Sequence, residues 1–206
     1  MSQKNKLIIL FVALGAVIVL AAAGGLLTYE VYYKVNDSAV VRGVAGLFGL
    51  PAAKVGSRQV SYAKFLMTRD AVKRFVNSEA GKEVGATMPP ENALNKNILE
   101  RLVRQEMIQE IADQKKLAVT DDEVKAIFAD VVKAAASSTT PDISQYLWNN
   151  YGWNEENFRQ EVLRPALLEQ KLANEMAKEK QGDQNALETE LAARALKPDV
   201  VYYLKF

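Results

Sequence analysis

Residues 55–65 read "VGSRQVSYAKF" and change periodicity partway along. Val55 and Val60 flank a Gly56-Ser57 pair, and glycine reaches positive φ without steric penalty, so a tight hairpin over 54–60 is expected. Ser61 then offers a hydroxyl to the first free backbone N–H groups of a helix starting at Tyr62, whose apolar set is Phe65, Leu66, Val72, Phe75 and Val76. A hairpin alone does not hold in water, so these strands require a partner. The only other strand signal is "DVVYYLKF", residues 199–206, where Val200, Tyr202 and Leu204 alternate with Val201, Tyr203 and Lys205.

Between the two strand signals the sequence is helical. "NSEAGKEVGATMPPEN" ends the first helix, because Pro89-Pro90 and two glycines forbid continuation, and 78–91 reads as an exposed, mobile loop. A helix over about 92–116 carries Leu94, Ile98, Leu99, Leu102, Val103, Met107, Ile108 and Ile111 as a buried stripe. "TDDEV" starts the next: Thr120 and Glu123 have capping-box spacing, and Asp121 and Asp122 suit the positive end of the helix dipole. That helix shows Val124, Ile127, Phe128, Val131 and Val132 on one face and stops in "SSTTPD". Asn154 caps a long last helix, in which Pro165 lacks the N–H that Glu161 would accept from, so a bend is expected there. A short helix over about 185–196 leads into the final strand.

The apolar run Leu7–Thr28 has no charge and is long enough to cross a hydrocarbon core of about 30 Å at about 1.5 Å per residue. Lys4 and Lys6 before it place residues 1–6 in the cytoplasm, and Tyr29, Tyr32 and Tyr33 suit the opposite interface. The expectation is therefore a single-pass anchor over 7–29 in the cytoplasmic membrane, with the rest outside the cytoplasm. A cleaved signal peptide ending near Ala21–Ala23 is the competing reading. Residues 30–51 form a juxtamembrane linker, either an amphipathic helix lying on the bilayer or a hydrophobic segment docked on the domain that follows from 52 to 206.

Composition excludes several kinds of chemistry. The 206 residues contain neither cysteine nor histidine, which removes thiolate nucleophiles, imidazole bases and the commonest zinc ligands. Lys+Arg is 26 and Asp+Glu is 25, so there is no electrostatic footprint for nucleic acid. No phosphate-cradling glycine loop or nucleophile elbow occurs, the acidic pairs open helices where carboxylates are expected anyway, and neither cofactor nor catalysis is expected. What stands out is "ISQYLWNNYGW", residues 143–153, with both tryptophans of the chain. Large, stiff aromatics suit the contact surface of a peptide binder, which makes Tyr62, Phe65, Tyr146, Trp148, Tyr151 and Trp153 the candidate contact residues.

These motifs together resemble the N-terminal chaperone domain of the SurA, PpiD and PrsA group of extracytoplasmic folding factors. The resemblance runs from about 52 to 180 and rests on "VGSRQVSYAKF", "TDDEV" and "LLEQKL" in order. Gly56-Ser57 stands where the family has Asn-Gly, and Lys64 where it has an acid. The resemblance implies a mainly α domain closed by a small β-sheet of the hairpin and the C-terminal strand. It also implies ATP-independent binding of unfolded or newly translocated polypeptides. Many relatives continue into a parvulin prolyl isomerase domain, and none is expected here. A dedicated structural or interaction protein, the non-catalytic part of an isomerase system, and a homodimer exchanging the last strand are the alternatives this reading leaves.

Overall fold

The computed structural model describes residues 24–136 and 142–206. A helix over 24–32 (α1) and α2 (Ala39–Phe48) lead into β1 (Pro51–Val55) and β2 (Arg58–Ser61). Then follow α3 (Tyr62–Asn77), α4 (Glu79–Glu83), α5 (Glu91–Gln114), α6 (Asp121–Ala136), α7 (Ile143–Tyr151) and α8 (Glu155–Phe158). A π turn, Arg159–Leu163, joins α8 to α9 (Arg164–Glu179), and α10 (Ala186–Ala195) and β3 (Val200–Tyr202) complete the chain.

The strands make one antiparallel sheet in the order β2-β1-β3. Ala53 faces Tyr202 and Val55 faces Val200, so the late strand supplies the partner that the hairpin requires. The hairpin begins at Pro51 rather than 54, with an irregularity between Pro51 and Ala53. Gly56 takes the corner at φ +55°, in the left-handed region where a side chain is strained.

α5 is the central strut. Its predicted stripe from Leu94 to Ile111 is buried at every position named above, packed against the sheet, α3, α9 and α10. The caps form as their chemistry dictates. Ser61 Oγ accepts from Lys64 N (3.1 Å), Glu123 accepts from Thr120 N (2.8 Å) while Thr120 Oγ1 accepts from Glu123 N (3.3 Å), and Asn154 and Asn157 cap each other's N–H groups.

Three expectations need correction. The loop 78–91 contains a short helix, α4, because Ser78 turns its hydroxyl to the N–H of Gly81; five residues are too few to show a period in the sequence. The bend expected at Pro165 takes the form of the π turn immediately before it. Proline crowds the carbonyl four residues back, that of Glu161, and this residue sits in the middle of the widened turn. Of the two readings of 30–51 the docked one fits the packing, and the boundary at 52 moves: Val31, Val35, Val41 and Ala45 belong to the same core as the sheet.

The anchor expected over 7–29 falls on residues 1–23 for most of its length, outside the described residues, as does 137–141 of the stop signal after α6. Among the described residues no helix is long and apolar enough to cross a membrane.

Charged side chains fasten the N-terminal stretch to α3. Arg69, almost wholly buried, donates to Asp37 (2.5 Å); Arg42 pairs with Asp70 (2.7 Å); and the Tyr62 hydroxyl donates to the Asn36 carbonyl (2.8 Å). Burial pushes the Tyr62 phenol up to about 12, so it remains a neutral donor. On the other side of the chain, Lys205 N–H donates to the Tyr32 carbonyl and Phe206 stacks on Phe65. Residues from both ends of the described chain thus converge on one side of α3.

Candidate functional site

A groove runs between α3, α7 and the π turn, and α5 contributes Arg101 to it. Val72 of α3, Ile143, Tyr146 and Tyr151 of α7, Trp153, and Phe158 and Val162 from either side of the π turn's start form its walls. Thr68, Arg101 and the tyrosine hydroxyls are the polar exceptions. Its volume of about 260 Å³ lies just under the range of roughly 300–1,000 Å³ typical of small-molecule sites, a size for one or two peptide side chains.

Local sequence chemistry explains the shape. Asp142 caps α7 through Gln145 N, which fixes where the helix starts, and the turn at Gly152 ends it, so Tyr146, Leu147 and Tyr151 fall on one helical face. Phe75 of α3 stacks on Tyr151 with parallel rings 5.1 Å apart, and Tyr146 and Trp153 lean on the same tyrosine at 6.3 and 6.1 Å. Burial raises the Tyr151 hydroxyl's pKa, with Tyr146 beside it adding to the effect, so the wall carries no charge at neutral pH. Opposite, Phe158 at the end of α8 and Val162 in the widened turn before Pro165 line the groove.

The six sequence candidates divide. Tyr146 and Tyr151 are half-buried walls, and Trp153 is buried behind them. Tyr62 and Phe65 have no exposed surface and belong to the core under the N-terminal stretch, because helix α3 turns its first apolar residues inward against α2 and the sheet. As contact residues these two are corrected. Trp148 is 59% exposed but lies outside the groove, with the Arg74 guanidinium over its ring at 5.6 Å. Arg74 also donates to the Asn149 carbonyl and lines a second, more polar depression of about 340 Å³ with Arg42, Met67 and Asp70.

Sequence reasoning missed Val72, Phe158 and Val162 as site residues, since each reads as an ordinary member of an apolar stripe. The signal available was Phe158-x₃-Val162 directly before Pro165: where a proline forces the turn to widen, the stripe ahead of it is displaced from close packing. Among the described residues no cluster of acidic side chains is suited to a metal ion. The site offers shape and a largely apolar surface.

Comparison with known proteins agrees with this architecture. A family model described as SurA-like N-terminal domain matches residues 1–173. The match starts well before the position 52 suggested by the motifs, in keeping with the burial of Val31 and Val41 in the same core. No curated protein and no solved structure matches the chain.

Proposed function

Since the chain belongs to the SurA-like N-terminal domain family, with the chaperone-like role that family carries, we propose that it binds unfolded or newly translocated polypeptides outside the cytoplasm, tethered to the membrane, without ATP and without catalysis of its own. The observation that carries this reading is the open groove walled by Tyr146, Tyr151, Phe158, Val72 and Val162. Such a groove takes apolar side chains from an extended segment by burying their surface, at roughly 25 cal/mol per Å². Burial is non-directional, so it tolerates many client sequences. Polar groups among the walls, Thr68, Arg101 and the tyrosine hydroxyls, limit how much apolar surface a client buries and leave it free to depart.

The test is light scattering from an aggregating model protein, with the full chain in nanodiscs and empty nanodiscs as control. Suppression at near-stoichiometric ratios without nucleotide is expected. Tyr146→Ala combined with Val162→Ser should abolish it while the circular-dichroism melt remains cooperative, and Trp148→Ala should leave it intact. Loss with Trp148→Ala and none with the groove pair would overturn the groove as the binding surface. No suppression by a folded chain, together with capture of one stoichiometric partner, would establish a dedicated interaction protein instead.

A further inference from the structure

Exposed large apolar side chains are unevenly distributed in this molecule. Of the thirteen among the described residues, six fall in positions 26–48: Leu26, Tyr29, Tyr33, Val40, Leu47 and Phe48. The last three belong to α2, where they are 74, 80 and 70% exposed. Helix α2 is apolar on two sides. Val41 and Ala45 face the core, while Val40, half-buried Val44, Leu47 and Phe48 recur at helical spacing on the outer side. The helix has no carboxylate, and its single charge, Arg42, is turned back to Asp70.

From α2's exposed face we infer that Val40, Leu47 and Phe48 sit in the headgroup and upper acyl region of the membrane, so that the domain is seated on the bilayer in one orientation. The inference rests on reading 7–29 as a membrane anchor and is independent of the groove. Its occupant is identified by the chain preceding α1. The uncharged run Leu7–Thr28 reaches into the helix described over 24–32. From Thr28 to Tyr32 the helix rises about 6 Å, and the stretch from there to Ala39 reaches at most about 25 Å, so α2 lies within about 31 Å of the run's end. An apolar face without negative charge, held that close to a bilayer, has the character of an interfacial helix.

Seating α2 fixes the whole domain, because the stretch is not a swinging tether. Asp37 with Arg69, Arg42 with Asp70, and the Asn36 carbonyl with Tyr62 join it to α3, and α3 forms one wall of the groove. The groove is consequently held at a set height and angle to the membrane.

The chain has no cysteine, so single-cysteine labelling is clean. The full chain, labelled with the environment-sensitive dye NBD at Leu47→Cys, is reconstituted into phosphatidylcholine–phosphatidylglycerol vesicles carrying nitroxide at the headgroup, at a shallow acyl position or at a deep acyl position. Ala13→Cys reports on the anchor, and Lys125→Cys on α6 serves as the exposed control. Loss of most fluorescence at 47 with shallow nitroxide, none at 125, and quenching at 13 only by deeper nitroxide is the expected result. Val40→Asp with Phe48→Asp should abolish quenching at 47 without moving the thermal midpoint, since both side chains are exposed. Quenching at 13 with none at 47 overturns the seated helix and leaves the anchor standing; quenching at neither overturns both. A blue shift at 47 that grows with protein density and ignores the nitroxides overturns the inference in favour of a second copy.

Discussion

Replacing Asp37 with asparagine tests how firmly the N-terminal stretch is joined to the domain. The Arg69 side chain is only 2% exposed, and its one ion-pair partner is Asp37, at 2.5 Å. Its Nε is buried without a hydrogen-bond partner, and beyond Asp37 the guanidinium has the Phe65 ring at 5.9 Å and the more distant charge of Glu91. Breaking a fully buried pair destabilises by about 3–5 kcal/mol, and a surface pair by about 0.2–1 kcal/mol. Asp37 is 52% exposed and also lies 3.6 Å from Arg42, so the expected loss for Asp37→Asn falls between these limits, at about 2 kcal/mol. For a chain of this size that is a drop of roughly 4–8 °C in thermal midpoint. Circular dichroism of the full chain in mild detergent reads the shift. Arg69→Met removes the stranded cation, so the double variant should melt above Asp37→Asn alone. A change within about 1 °C for Asp37→Asn, or strictly additive single effects, would refute the reasoning.

Further outcomes follow from individual positions. Gly56→Ala should lose about 2 kcal/mol, combining left-handed strain with a Cβ placed 2.6 Å from Glu110 Oε1. Gly49→Ala, at φ +58° in open space, should lose only about 1 kcal/mol; equal losses in chemical denaturation would remove the steric part of the argument. Val31→Ala should lower stability by about 2 kcal/mol, because Val31 is fully buried; a neutral result would return 30–51 to the status of a linker. The Lys171 ammonium, and then the Thr120 N–H, hold the Glu123 carboxyl at about 2, below its ordinary value of 4.5. A depressed carboxyl stabilises above its unfolded pKa and loses that contribution as pH falls from 4.5 toward about 2. The thermal midpoint of the wild-type chain should therefore fall more steeply over that window than that of Glu123→Gln. Parallel curves would show that this exposed pair contributes nothing to folding.

The features legible in the sequence were those written in local chemistry. Ser61, Thr120 with Glu123, and Asn154 announce helix starts because a cap needs only a few adjacent residues. The α5 stripe and the alternation of Val200 to Tyr202 follow from elementary periodicities, and the need of a hairpin for a partner brought the two strand signals together. What escaped depends on distance between elements. A helix apolar on two sides, such as α2, does not say which face the domain covers. Tyr62 and Tyr146 look alike as letters, yet one lies under α2 with no exposed surface and the other lines a cleft. Phe158 at the end of α8 and Val162 in the π turn line the groove, and a π turn is a backbone feature that hydropathy does not encode.

The pairing of β3 with β1 has a kinetic meaning. Lys54 stands opposite Val201, so the sheet joins residues about 150 apart, and closing a loop of that length opposes folding by about 4 kcal/mol before constant terms. Until residues 200–202 arrive, β1 has one unpaired edge, and the apolar residues Ala52, Ala53 and Val55 lie along that strand. Under the proposed function, the chain would itself pass through an interval in which it presents the kind of surface it covers in its clients.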